Sequence, residues 1–173
     1  MAAVWSRVLT SRLEIRLPVD ADRGRFVELF CDDGFMAFST GVLDADGANR
    51  RFDHMLALAD ELPFAKQPVI ERATGTIIGY SGADWFDLED RPRLEFGYRL
   101  VEGARGQGYA TEACLAVLDV AATTFRGEIL AIIDPSNLAS QRVAVKLGFT
   151  FWKHALVDGY FERLYRLDVG DSS

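Results

Sequence analysis

Arg105-Gly106-Gln107-Gly108-Tyr109-Ala110 stands between a strand-like run ending at Val101 and a helix-like run beginning near Gly108. A glycine-rich corner ahead of a helix leaves several main-chain N–H groups without an intrahelical acceptor, at the positive end of the helix dipole. Such a corner suits a phosphate or pyrophosphate, and glycine removes the Cβ that would hold an anion away from the backbone. The competing reading is a simple tight turn. Two other nucleotide motifs do not fit. No Lys-Ser or Lys-Thr follows the second glycine, as an ATP-type phosphate loop requires, and the G-x-G-x-x-G order of dinucleotide-binding folds is missing.

Upstream of the corner, residues 13–17 alternate apolar and polar, as a half-buried strand does. Asp20 is placed to cap a helix carrying Phe26, Val27, Leu29 and Phe30. Residues 35–47 read as a loop, and a second helix carries Phe52, Met55, Leu56 and Ala59 as far as Pro63. Residues 64–72, 76–85 and 93–101 form a strand meander, turned at Ala73-Thr74-Gly75 and at Arg91-Pro92. Downstream, the helix from Gly108 shows a face of small apolar residues, with Gly127 as its expected C-cap. A strand over residues 128–133, a helix over 138–147 closed by Gly148, and a final hairpin turned at Asp158-Gly159 complete the chain. The order βααβββαβαββ predicts a single domain over residues 1–173, an α/β fold with one mixed sheet and helices on both faces.

With 173 residues, 49% of them apolar, the chain can build one real core. A net charge of −7 argues against non-specific nucleic-acid binding and mildly favours a cationic or amine-bearing partner. Cys31 and Cys114 fall in apolar helical patterns and read as buried free thiols, while His54 and His154 are isolated, so no metal site is expected. No apolar run is long enough to cross a membrane and no leader-type apolar segment opens the chain, so a cytoplasmic protein is expected.

A second stretch adds chemistry: Pro135-Ser136-Asn137-Leu138-Ala139-Ser140, then Leu147-Gly148-Phe149. Asn137, at a strand-to-helix junction, offers donor and acceptor to an amide-bearing chain, and Ser140 presents a hydroxyl one turn later. Both residues also suit simple helix capping. Taken with Glu95-Phe96-Gly97-Tyr98, with Arg12-Leu13 and Arg16, and with the glycine corner continuing into Thr111-Glu112-Ala113, these motifs resemble the GNAT superfamily of acetyl-CoA-dependent N-acetyltransferases. Within it they resemble the RimJ/RimL-type branch, over nearly the whole chain and in the right order.

The resemblance implies a mostly antiparallel sheet splayed at its centre, between strands 93–101 and 128–133, with the pantetheine arm of acetyl-CoA in the gap. Main-chain groups of Leu100 and Val101 would pair with the arm. The amides of Arg105, Gly106, Gln107, Gly108, Tyr109, Ala110 and Thr111 would hold the pyrophosphate, and Asn137 would bond the arm near its reactive end. A main-chain N–H at a bulged end of the strand before the corner would face the thioester carbonyl. The acid that many members carry on the last helix as tyrosine is Ala144 here; in the RimJ/RimL-type branch a serine takes that role, and Ser140 matches it. Glu95 is the first candidate for general base and Asp84 the second, with a structural ion pair as the competing reading for Glu95. The reaction implied is acetyl transfer to a primary amine, on a protein N-terminus or a small molecule, by a monomer or homodimer with no nucleic-acid or membrane partner. Transfer of another short acyl group, or a non-catalytic acyl-CoA sensor, are the alternatives.

Overall fold

The computed structural model describes residues 7–39 and 41–170. Among these residues eight strands form one open sheet in the order β1-β2-β3-β4-β5-β6-β8-β7. They are β1 (Arg7–Leu9), β2 (Leu13–Arg16), β3 (Gln67–Glu71), β4 (Thr76–Leu88), β5 (Arg91–Leu100), β6 (Gly127–Ile133), β7 (Thr150–Val157) and β8 (Tyr160–Val169). The helices are α1 (Arg23–Phe30), α2 (Ala45–Glu61), α3 (Tyr109–Thr124) and α4 (Leu138–Lys146). Among the described residues no helix is long and apolar enough to cross a membrane.

Helices α1 and α2 cover one face through Phe26, Phe30, Phe52 and Met55, packed with Tyr80 of β4. Helix α3 buries Ala113, Cys114, Val117 and Ala121 against the other face, where α4 adds Ala144. The small residues on α3 let it lie close to the sheet, as their spacing predicts.

The centre of the sheet is its decisive feature. All neighbouring strands run antiparallel except β5 and β6, which run parallel and share a single register pair, Glu95↔Leu130. Beyond that pair they part. The expected splay is therefore present between these two strands.

Several local expectations change. A short strand, β1, precedes the first one predicted; three residues are too few to leave a pattern. Asp20 does not cap α1: residues 20–22 make a 3₁₀ turn, and Asp22 instead accepts from the Arg16 guanidinium at 2.7 and 2.8 Å. The meander turns at Glu89-Asp90, both at positive φ (53° and 60°), while Arg91 and Pro92 pair with Leu88 and Asp87 inside the hairpin. Two residues at positive φ give the turn whose twist matches the strands it joins. Gly127 opens β6 rather than capping α3, which ends at an extended Phe125. Gly148, by contrast, sits at φ 94° and ends α4 as expected, with Phe149 N–H on the Ala144 carbonyl at 3.0 Å and Gly148 N–H on that of Val145 at 3.1 Å. Cys31 is exposed at the end of α1, and only Cys114 is buried.

The bulge expected on β5 lies on its neighbour. β4 and β5 pair without a break from Leu88↔Arg91 to Gly79↔Leu100, and the register shift falls between β3 and β4, beside Gly79. An extra residue there reverses which side chains face which way. Ile78 joins the α3 side, and Tyr80 is turned to the α2 side.

Candidate active site

The glycine corner takes the form its sequence implies. Gly106 and Gly108 have φ of 72° and 83°, and Gly108 is the N-terminal cap of α3. A Cβ at Gly106 would meet nothing within 4 Å, so conformation, not crowding, calls for glycine here. Among the described residues the main-chain N–H groups of Gly106, Gln107, Gly108, Tyr109, Ala110 and Thr111 have no acceptor. Their direction is fixed from outside. Arg12 donates to the Gln107 carbonyl (2.8 Å) and to Glu112 on the first turn of α3 (2.7 Å), and its guanidinium lies 4.3 Å from the Tyr109 ring centroid. Tyr109 donates its hydroxyl to Glu71 at 2.7 Å. Burial alone would push the Glu112 carboxyl up, but Thr10 and Arg12 hold it below its ordinary range.

Two residues expected at the cofactor behave differently. Val101 N–H donates to Ile78 at 2.8 Å and its carbonyl accepts from Ala104 at 3.0 Å, so neither group is offered to the cleft. Strand alternation then turns Leu100 toward the gap. The Arg105 amide, expected on the pyrophosphate, donates instead to the Glu102 carbonyl at 3.1 Å, and its guanidinium bonds the Leu100 carbonyl (3.2 Å) and the Gly34 carbonyl (2.7 Å), bracing the corner against the loop after α1.

A cleft of about 1020 Å³ runs from this corner through the split between β5 and β6 to the α2 face. Asn137 caps α4, accepting from Ser140 N–H at 3.1 Å, which is the capping alternative in geometric terms; both residues also line the cleft. The Ser140 hydroxyl lies 3.1 Å from the Tyr98 hydroxyl. Tyr98 was legible only as part of a motif, yet β5 brings its hydroxyl to Ser140 on the first turn of α4. Burial raises the Tyr98 phenol, partly offset by its bond to Ser140. Behind it, burial pushes the Cys114 thiol up to about 12, with the Ser81 hydroxyl 3.4 Å away.

Across the split lies a cluster that no spacing in the sequence announced. The 64–66 segment runs so close to β4 that a Cβ on Gly82 would strike the Ala65 carbonyl. Lys66 N–H bonds Ala83 at 3.1 Å, and the Lys66 ammonium then reaches Glu95 at 3.2 Å. Glu95 folds back along β5 over Gly97, where a Cβ would lie 2.7 Å from its Oε1. Asp84 stands directly across from Glu95 in the ladder and bonds His54 Nε2 at 2.9 Å, so His54 is not isolated. Burial opposes the Lys66 charge, but Glu95 foremost, with Tyr80 and Asp84, raises its pKa above the ordinary value. On β8, Glu162 also lines the cleft, with a buried Oε2 that has no partner among the described residues. Burial, aided by Asp134, raises the Glu162 carboxyl.

Two parallel strands that part around a cleft, with unbonded amides at its mouth among the described residues, are the arrangement of an acyltransferase fold. Residues 12–150 match the family model described as an acetyltransferase (GNAT) domain, and the chain belongs to that family. YkkB of Bacillus subtilis (strain 168), a protein described as uncharacterised, is 30% identical over 154 residues, covering 86% of this chain and 87% of its own. A solved acetyltransferase from Agrobacterium tumefaciens str. C58 superposes with a TM-score of 0.81 at 26% identity, over 96% of each chain. RimL, a ribosomal L7/L12 alpha-N-protein acetyltransferase solved with coenzyme A, shares the fold at a TM-score of 0.77 and 14% identity, over 95% of this chain and 98% of its own.

Proposed function

We propose that this protein transfers the acetyl group of acetyl-CoA to a primary amine by direct attack in a ternary complex. One observation carries the reading furthest: six consecutive main-chain N–H groups, from Gly106 to Thr111, lack any acceptor among the described residues at the mouth of a split sheet. A diphosphate fits that row, and the gap beyond fits an extended amide-bearing arm beside Leu100 and Asn137. Acetyl-CoA supplies the acyl group as a thioester.

The remaining work falls to side chains. The amine nitrogen forms a bond to the thioester carbonyl carbon, the carbon–sulfur bond breaks, and the sulfur takes up a proton. Ser140 is the donor to that sulfur, with Tyr98 at 3.1 Å behind it to replace the proton. The ammonium proton goes to a carboxylate on the α2 face. Glu95 remains the first candidate, and its pair with Lys66 is what competes with that task. Glu162 is the second, because a carboxyl raised by burial is a better proton acceptor near neutral pH. Asp84 is less apt, being already bonded to His54. Placement in the RimJ/RimL-type branch, a cytoplasmic location and action as a single domain belong to the same reading.

Thiol release from acetyl-CoA, measured against N-terminal peptides, polyamines, aminoglycosides and amino acids, tests it. Release that depends on an amine supports transfer. Tight coenzyme A binding without turnover on any amine favours a sensor, and faster release with a longer acyl group would change the donor. Glu95→Gln and Glu162→Gln separate the two proton acceptors, since only loss of the true base reshapes the pH–rate profile.

A further inference from the structure

Beside the split, a pocket of about 360 Å³ opens between α2 and β4, with Phe30 and Met55 as its apolar wall. It shares Arg51, Lys66, Tyr80 and Asp84 with the main cleft. Its charges do not balance locally. Lys66 is matched by Glu95 at 3.2 Å, and Asp84 is bonded to His54. Arg99 is held by the carbonyls of Phe35 and Ala37 and by the Tyr80 hydroxyl, each at 3.2 Å, and by no carboxylate among the described residues. Arg51, half-buried with its guanidinium 5.0 Å from the Phe30 ring centroid, has neither a hydrogen bond nor a carboxylate partner among the described residues. Arg50, more exposed on the same lining, also has no carboxylate partner among the described residues, so three guanidinium groups on this side of the sheet are without an ion pair in a chain whose net charge is −7. The Tyr80 phenol registers the excess. Burial would push it up, yet Lys66, Arg99 and Arg51 bring it below its ordinary value.

A partly desolvated arginine on an aromatic wall is suited to a planar anion, which it grips in bidentate fashion. The pocket is of amino-acid size, and it reaches the acyl-transfer cleft, so its occupant and the acceptor amine belong to one molecule. We propose that this pocket is the anion subsite of the acceptor. The amine that receives the acyl group is a small molecule bearing a carboxylate, held by Arg51, with its nitrogen turned to the split between β5 and β6. This rests on the acyl-transfer reading for the orientation of the nitrogen, while the subsite itself is testable without turnover.

The test is calorimetric binding to the full chain saturated with coenzyme A, using L-phenylalanine and L-leucine against their α-amides and the corresponding decarboxylated amines. Loss of a charge-assisted pair predicts roughly 10- to 100-fold weaker binding for the amides and amines. Arg51→Gln should erase that difference, and Arg51→Lys should retain part of it. Equal affinity across the matched compounds, or no binding of either carboxylate at millimolar concentration, overturns the subsite. Thiol release is measured in parallel. Transfer to amines regardless of a carboxylate leaves acyl transfer standing and the subsite refuted. Selective binding of carboxylates with no thiol release under any condition leaves the subsite standing and refutes acyl transfer.

Discussion

Removing Glu95 should destabilise the protein through Lys66, whatever Glu95 does in chemistry. At 3.2 Å the pair attracts by about 5 kcal/mol at an effective dielectric of about 20, and each ion gave up several kcal/mol of hydration to be there. The intact pair is thus close to neutral in stability, but its two halves are not equivalent when one is lost. Glu95→Gln leaves a half-buried ammonium with the Tyr80 ring and Asp84 nearby, the latter across the ladder from residue 95. Breaking buried pairs costs about 3–5 kcal/mol; the remaining Asp84 argues for the lower end, about 3 kcal/mol. For a domain of this size that is a fall of about 6–12 °C in melting temperature. Lys66 in the native protein has a raised pKa, so its stabilisation is present below the unfolded value and is lost only as pH rises through the folded one. In the variant, burial without its main partner lowers the Lys66 pKa. The unfolded state then binds more protons, and stability rises with pH relative to wild type. Urea melts between pH 7 and 10 should show a gap of about 3 kcal/mol that narrows toward alkaline pH, and Lys66→Met with Glu95→Leu should recover much of the loss. A loss under about 1 kcal/mol, or a gap that does not change with pH, would refute the reasoning.

Three further outcomes are expected. Gly108→Val should weaken coenzyme A binding at least tenfold by calorimetry, because the position needs φ near 83° and its amide faces the corner; unchanged affinity would remove the corner from the cofactor site. Ser140→Ala and Tyr98→Phe should each lower kcat by about 10- to 100-fold with little change in coenzyme A affinity, and the double variant should be no worse than the poorer single one; full activity in Ser140→Ala would end its assignment. Acid melts should show stability falling as pH drops below about 4, since Asp22 and Glu112 are both held below their ordinary carboxylate range despite burial. Their contribution is present above the unfolded pKa and is lost as the folded groups take up protons, so Asp22→Asn should flatten that dependence; an unaltered acid limb would count against it.

What the sequence disclosed, it disclosed where one short segment does the work. The corner at Gly106 and Gly108 and the helix stop at Gly148 are decided by backbone conformation within a few residues, and glycine marks both. Gly127 carries the same letter at a strand entrance, and Pro92 suggested a turn that Glu89-Asp90 makes instead, because acidic residues at positive φ leave a weaker trace than proline. The α2-face cluster was hidden for a different reason. Lys66 is brought to Glu95 by the close crossing over Gly82, and Arg51, His54 and Tyr80 meet only once α2 lies on β4. No periodicity within any one of these segments encodes that meeting.

The hydroxyl pair shows how capping and strand register together place the groups that face the cleft. Ala144 packs into the core at 4% exposure and also lines the cleft, where its methyl group offers no acid. Tyr98 reaches the same cleft from the strand below, on the face that alternation gives it together with Phe96. Its partner Ser140 is fixed by Asn137, whose cap on α4 sets the first turn and hence the direction of the hydroxyl. Capping and chemistry are therefore not rival accounts of Asn137 and Ser140. The cap is the device by which a short, exposed helix start holds a hydroxyl within 3.1 Å of a half-buried phenol, at the point where β5 and β6 leave each other.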